Sequence, residues 1–277
     1  MKFTKMNGLG NDFIVLENLD NKDIDYGVLA RKLCDRHFGI GADGLLIVEP
    51  SGMADIKMRI INSDGSEAEM CGNGSRCFAK YVYENNIVKK EKMMVETLSG
   101  VIMPELIFSN GVVEKVKVHM GNPIFKTDMI PVKVDKKTFV EEPIKINGHL
   151  YIVTSILVGV PHTIVFVNTI DENMVLSLGP LIEKLQIFPR GTNVDFVKVE
   201  DNENISVRTW ERGAGLTLAC GTGACASAVA SAVTEKTKRD VYVHFKGGDL
   251  YIEWTDDNNI FLTGKAEKVF TGEIHGV

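Results

Sequence analysis

The chain has 277 residues, 44% hydrophobic and 25% charged, with a formal net charge of −6. That length allows a sizeable core in one large or two ordinary domains. The acidic balance, without a basic cluster interleaved with aromatics, argues against a nucleic-acid partner. No apolar run approaches ~18 residues, so no membrane span is expected. Residues 1–6 lack a signal-peptide core, which makes a cytoplasmic location the expectation. Five cysteines are an odd number, and a reducing compartment disfavours a disulfide framework.

In chain order, residues 2–6 and 12–17 read as strands around the turn Asn7-Gly8-Leu9-Gly10-Asn11. Residues 25–38 read as a helix, with apolar Val28, Leu29, Leu33 and Cys34. Gly39-Ile40-Gly41-Ala42-Asp43-Gly44 matches GxGxxG, but it precedes a strand (45–49) rather than following one, which rejects a dinucleotide site. A strand over 55–61 ends at Asn62. Then comes Cys71-Gly72-Asn73-Gly74-Ser75-Arg76-Cys77, leading into a helical run over 78–83. Residues 93–97, 100–108 and 112–119 read as further strands. The segment 120–150, with Pro123, Pro131, Pro143 and Gly148, reads as a boundary or strand crossover. Residues 163–167 read as a strand and 174–188 as a helix. Cys220-Gly221-Thr222-Gly223-Ala224-Cys225 leads into a helical run over 226–233.

The two cysteine loops lie 149 positions apart (220 − 71). The same offset carries the strand over 55–62 onto 204–211, 44–48 onto 193–197, the helix over 25–38 onto 174–187, within the helical stretch 174–188, and Gly10 onto Gly159. An ungapped offset that joins so many elements indicates an internal duplication. The expected fold is therefore α+β: two pseudo-symmetric lobes, each a mostly antiparallel sheet wrapped around a buried helix, with the active site in the interlobe cleft. The expected division is 1–120 and 121–265, with the boundary within 120–150 and the tail 266–277 packing back on the N-terminal lobe.

A glycine-rich turn into a helix leaves backbone N–H groups unpaired, and these amides with the helix dipole favour an anion or a thiolate. Cys71 and Cys220 then suit the base and acid roles of a racemase or epimerase, one ionised and one protonated. The amides of Gly72, Asn73 and Gly74 and of Gly221, Thr222 and Gly223 would stabilise charge on an α-carboxylate. No feature of the sequence demands a cofactor. Bland readings stand beside these: buried cysteine is usually a small hydrophobe. Four thiols (Cys71, Cys77, Cys220 and Cys225) also raise zinc, but a C-x5-C spacing exceeds the usual range, and no metal is expected. Cys34 reads as helix core. His162, after Pro161, is either a packed residue or an aid to thiolate formation. Glu211-Arg212 is either an exposed ion pair or a substrate contact. Asn11, Asn62 and Asn193 lie at strand ends or turns, where Asn is common anyway.

These motifs closely resemble the diaminopimelate epimerase family over almost the whole chain. Asn7-Gly8-Leu9-Gly10-Asn11-Asp12-Phe13 is similar to its opening. Asn62-Ser63-Asp64-Gly65-Ser66 leading to Met70-Cys71 through Cys77 is similar to its first active-site segment, and Trp210-Glu211-Arg212-Gly213-Ala214-Gly215 leading to Ala219-Cys220 through Ala226 to its second. The resemblance implies a cofactor-independent isomerase in lysine and peptidoglycan precursor synthesis. Cys71 would be the base towards the L,L isomer and Cys220 towards the meso isomer. Asn73, Gly74, Gly221 and Thr222 would hold the reacting α-carboxylate. Asn11, Asn62, Asn193, Glu211 and Arg212 would hold the distal end, and His162 and Glu211 would tune the thiols. The partner is a small amino acid, with a homodimer as the candidate assembly. Three positions depart from the family: Val160 where Asn is frequent, Gly44 where some members have Gln, and Leu216 where Glu or Gln is frequent. Val160 removes one distal hydrogen bond, worth ~1 kcal/mol. Racemases of histidine, proline or hydroxyproline share the thiol pair, so they remain the alternative. Arg212 favours a substrate with a second carboxylate.

Overall fold

The computed structural model describes residues 1–275. The chain forms two compact units, residues 1–119 with the segment from Thr263 onward, and Met120–Leu262. Among the described residues no helix is long and apolar enough to cross a membrane.

The first unit contains β1 (Lys2–Gly8), β2 (Asn11–Glu17), α1 (Tyr26–Leu33), β3 (Gly44–Glu49), β4 (Ile56–Asn62), β5 (Glu67–Ala68), α2 (Gly72–Glu84), β6 (Val95–Thr97), β7 (Gly100–Ile102), β8 (Glu105–Ser109) and β9 (Val112–His119). The second contains β10 (Phe139–Ile146), β11 (His149–Val158), β12 (Val160–Phe166), α3 (Glu172–Glu183), β13 (Asn193–Val199), β14 (Asn204–Glu211), β15 (Gly215–Leu216), α4 (Gly221–Val233), β16 (Asp240–Phe245) and β17 (Gly248–Trp254). The chain returns to the first unit along β18 (Ile260–Lys265) and ends in β19 (Glu267–Glu273), which pairs antiparallel with β1. Of the tail expected to pack on the N-terminal lobe, residues 276 and 277 lie outside the described residues.

Each unit runs the same sheet order, β1-β2-β3-β4-β6-β7 in the first and β11-β12-β13-β14-β16-β17 in the second. Pairing is antiparallel except at β2/β3 and β4/β6, and at β12/β13 and β14/β16. Those are the joins bridged by a helix, which is what a parallel pair requires. The register repeats too: Phe13 sits opposite Gly44 and His162 opposite Asn193, and Leu45 sits opposite Ile61 as Val194 does opposite Trp210. All four pairs obey the 149-residue offset.

One helix of each unit is enclosed. Gly72 to Val82 of α2 are all buried, as is nearly all of α4 through Ser231. Gly, Ala and Ser dominate α4 and let strands approach closely. α2 instead buries Arg76 and Lys80, and the Lys80 ammonium is satisfied by the Val113 carbonyl and by Glu84 at 3.0 Å. The shorter helices α1 and α3 cover apolar clusters that include Ile14, Leu29, Leu33, Leu45 and Ile61 in the first unit and Val175, Ile182, Val194 and Phe196 in the second.

Several boundaries differ from the sequence expectation. The helix read over 25–38 stops at Leu33, whose carbonyl accepts the amides of Ile40 and Gly41 in a compact turn. The strand read over 100–108 is broken by Pro104, which has no N–H for a ladder, and becomes β7 and β8. The helix read over 174–188 is Glu172–Glu183. Within the segment read as a crossover, β10 and β11 form a hairpin on Asn147-Gly148, both left-handed (φ 49° and 87°), the type I′ signature.

Gly179 of α3 lies against Trp210, so a Cβ there would sit 2.6 Å from the ring. The ring is pinned by its Nε1–H donating to Glu183 at 2.7 Å. Ala gains ~1 kcal/mol of helix propensity over Gly, but overpacking costs ~1–3 kcal/mol. Gly179→Ala is therefore expected to lower stability by ~1–2 kcal/mol, read as a lower denaturant midpoint at unchanged slope.

Candidate active site

Each cysteine of the duplicated loops is the N-cap of its enclosed helix. Cys71 is extended at φ −146°, ψ 114° and Cys220 at φ −129°, ψ 115°. Their carbonyls accept the first intrahelical bonds, from Ser75 N–H and Ala224 N–H, both at 2.8 Å. Their sulfurs accept the third-position amides, Gly74 N–H and Gly223 N–H, both at 3.4 Å. Those two amides are thus spent on the sulfurs. The amides of Gly72 and Asn73, and of Gly221 and Thr222, precede the first intrahelical bond and remain the donors suited to an anion. Glycine fits the third position closely: a Cβ at Gly74 would crowd the Leu46 side-chain end at 3.1 Å, and one at Gly223 would lie only 2.6 Å from Asp195 Oδ1.

In the first unit Cys71 is half-buried, and Asn11 Oδ1 lies 3.6 Å from its sulfur, in reach of a thiol proton. The same oxygen accepts from Asn73 Nδ2 at 3.3 Å. Asn11 is turned this way by Asp43, which takes its Nδ2–H at 2.7 Å. Asp43 and Asp12 in turn share Arg36, at 2.8 and 2.7 Å, and Asp12 also meets the buried Lys5 at 2.6 Å. Beneath the loop, buried Arg76 donates to Gly72 O and Asn73 Oδ1, at 3.2 and 2.9 Å, which fixes the first turn of α2. Asn62 is exposed, and its Nδ2 donates to Ser66. A Cβ at Gly44 would meet the Ile61 carbonyl oxygen at 2.6 Å, so glycine there answers to strand packing.

In the second unit Cys220 is 5% exposed. Both cysteines were expected to be biased to thiolate by their helices. At Cys220 the outcome is the reverse: burial, then the charges of Glu211 and Asp195, push its thiol well above the usual range against the Gly223 amide. Desolvation of a buried sulfur outweighs one amide bond. His162 is fully buried, with Nδ1 2.7 Å from Asp195 Oδ2 and Nε2 3.0 Å from the Thr222 hydroxyl. Thr222 Oγ1 lies 3.4 Å from Cys220 Sγ. Asn193 is buried, accepting Arg212 N–H at Oδ1 (2.8 Å) with Nδ2 3.4 Å from His162 Nε2. Arg212 donates its guanidinium N–H to Arg190 O at 2.6 Å, and Glu211 accepts from Thr217 at 2.6 Å. Half-exposed Val160 opens β12 and presents no polar group, while Leu216 packs on the α3 cluster. Of the three remaining thiols, all buried, those of Cys34 and Cys77 are each pushed up to about 12 by that burial.

Sequence reading missed Asp43, Asp195 and Thr209. Asp43 could have been found inside the glycine-rich run rejected as a nucleotide loop. Asp195 could have been found as the lone carboxylate in the apolar run Val194-Asp195-Phe196-Val197.

The fold is shared with a class of solved structures. A probable proline racemase from Agrobacterium radiobacter matches with TM-score 0.70 at 16% identity, over 99% of this chain and 92% of that one. A PhzF-family phenazine biosynthesis protein from Bacillus anthracis matches with TM-score 0.71 at 15% identity, over 99% and 98%. In sequence, the profile described as Diaminopimelate epimerase matches residues 3–126 and 154–269. A diaminopimelate epimerase of Caldanaerobacter subterraneus subsp. tengcongensis is 66% identical over 99% of both chains, and one of Pelotomaculum thermopropionicum 49% identical over 99% of this chain and 98% of its own. The chain belongs to the diaminopimelate epimerase family, which makes it an isomerase.

The Asp12 cluster that supports the Asn11 loop gives a pH test. Burial disfavours the Asp12 carboxylate, but hydrogen bonds from Arg36 and Lys5 outweigh it and hold its pKa at about 2, against 3.8 ordinarily. A depressed carboxylate stabilises the fold above the ordinary value, and that contribution is lost as pH falls from about 4 towards 2. For a half-exposed cluster the contribution is on the order of 1 kcal/mol after solvent screening. The stability difference between the wild type and Asp12→Asn, measured by denaturant unfolding, is expected to shrink over that range.

Proposed function

We propose that the chain converts L,L-2,6-diaminopimelate to the meso isomer by inverting one α-carbon, in lysine and peptidoglycan precursor synthesis in the cytoplasm. The observation that carries this reading is the pair of N-cap cysteines at equivalent positions of the duplicated fold, in a chain 66% identical to a named diaminopimelate epimerase. Inversion needs a base on one face of Cα and an acid on the other. With the L,L isomer, Cys71 as thiolate takes the α-proton: the Cα–H bond breaks and an S–H bond forms. Cys220 as thiol then returns a proton to the opposite face and is left as thiolate. The meso isomer reverses the roles.

The charge that builds on the α-carboxylate meets the amides of Gly72 and Asn73 and of Gly221 and Thr222, at helix ends whose dipoles favour it. Asn11, Asn62, Glu211 and Arg212 are the proposed contacts for the distal amino acid end. Arg212 suits its carboxylate, being able to form two parallel hydrogen bonds. Asn193 contributes by holding the Arg212 backbone. No step calls for a cofactor.

Proton NMR of L,L-diaminopimelate with reduced protein in D2O is expected to show loss of the α-proton signal and growth of the meso isomer. Cys71→Ala and Cys220→Ala are each expected to lower turnover by at least ~10²-fold, the range for removing a proton-transfer group. Exchange on histidine or proline in place of diaminopimelate would mean that Val160 has redirected the distal end. No exchange on any amino acid would overturn the reading.

A further inference from the structure

The second unit holds a hydrogen-bond chain whose direction can be read from its ends. Asp195 is fully buried and has two partners. The Thr209 hydroxyl donates to its Oδ1 at 2.7 Å, and His162 Nδ1 lies 2.7 Å from its Oδ2. A carboxylate only accepts, so the ring proton facing it is on Nδ1. The other ring nitrogen is settled independently. Asn193 Oδ1 accepts the Arg212 backbone N–H, so the amide's NH2 end is the one 3.4 Å from His162 Nε2. A donor aimed at Nε2 marks that nitrogen as a bare acceptor. The Thr222 hydroxyl, 3.0 Å from the same nitrogen, then donates to it. A hydroxyl has one proton, so only lone pairs of Thr222 face Cys220 Sγ at 3.4 Å. The sulfur has to bring its own proton to that contact.

We infer that Asp195 is a positioning residue for the epimerisation: acting through His162 and Thr222, it aligns the hydrogen bonds so that Cys220 rests as the protonated thiol, the acid of the pair. The inference rests on the epimerase reading above and gives it a direction. The device exists in one copy of the duplication alone. At the equivalent positions of the first unit stand Phe13, Leu46 and Ile60, all apolar and buried. Cys71 is therefore an internal control.

The test uses the full chain labelled with ¹⁵N-histidine. Long-range ¹H–¹⁵N correlation at about pH 7 is expected to show His162 protonated at Nδ1 and bare at Nε2; a bare Nδ1 would overturn the inference without any variant. In Asp195→Asn the carboxamide can turn its NH2 towards the ring, which moves the ring proton to Nε2, as happens when the carboxylate of a serine-protease triad is neutralised. Thr222 then points its proton at sulfur, and Cys220 loses both its acceptor and a nearby negative charge. Iodoacetamide, followed peptide by peptide, should label Cys220 about tenfold faster relative to Cys71 than in the wild type, since the thiolate is the reactive form. The kcat should fall by about ten- to a hundredfold with KM within about twofold, because two thiolates cannot return a proton. Thr222→Ser, which keeps the hydroxyl, should leave the labelling ratio of the wild type. An unchanged ratio in folded Asp195→Asn would overturn the inference. Neither the spectrum nor the labelling needs substrate, so their failure is separate from a failure to epimerise diaminopimelate.

Discussion

The constraint on which the structure depends is a cysteine in the N-cap position of a helix that has almost no exposed face. Ordinarily the N-cap is a serine, threonine or aspartate whose oxygen takes the third-position amide. Here sulfur takes that amide, at 3.4 Å in both units, and the bond is weaker. The helix does not need a strong cap, because α2 and α4 are held by burial over most of their length. Tertiary packing supplies the stability, which leaves the cap position open to a thiol in place of a stronger capping oxygen. The same burial fixes the sulfur against a rigid scaffold. The sheet order, the parallel joins and the small residues of α4 all follow from enclosing such a helix.

The repeat gives the two cysteines one geometry but different surroundings. Three positions near the cysteine loop differ as a set: Phe13, Leu46 and Ile60 in the first unit correspond to His162, Asp195 and Thr209 in the second. Single replacements would be costly, because an isolated polar group in a core loses its hydration without return. As a set they satisfy one another, Asp195 accepting from Thr209 and His162. On α2 the buried charge beside the cysteine loop is Arg76, whose guanidinium donates to carbonyl and amide oxygens of its own unit. Cys225 is its buried equivalent in the second. Thus one copy places a buried cation below its cysteine, and the other a buried carboxylate with a histidine.

Much of this was legible in the sequence, for a physical reason. A duplicated chain is measured against itself, so the 149-residue offset located strands, helices and the cysteine loops in one step, and the observed registers obey it. Local signals fared worse where tertiary contacts decide. Pro104 ends a strand pattern that continues on hydrophobicity alone, and the turn after Leu33 is closed by backbone bonds to Ile40 and Gly41 that no periodicity reveals. Hydrophobic patterning also hid Asp195, since a strand of Val, Asp, Phe and Val reads as core. His162 was visible as a residue, but its meaning depended on partners 31 and 60 positions away. The ionisation of Cys220 was beyond reach for the same reason: the helix end is encoded locally, whereas the burial and the carboxylates that override it are assembled by the fold.

The two third-position glycines show how little freedom the arrangement leaves. Any side chain at Gly223 would enter the space of Asp195 and Thr209, and any at Gly74 that of Leu46. In the first unit the neighbour is a flexible side-chain end at 3.1 Å, able to give a few tenths of an ångström. In the second it is a carboxylate oxygen at 2.6 Å, already fixed by Thr209. The second glycine is therefore the stricter of the two, and the strictness comes from the polar set that surrounds it. A helix start that merely bound an anion would need the glycine for its amide alone. This one needs it also because a buried carboxylate occupies the space where a Cβ would project.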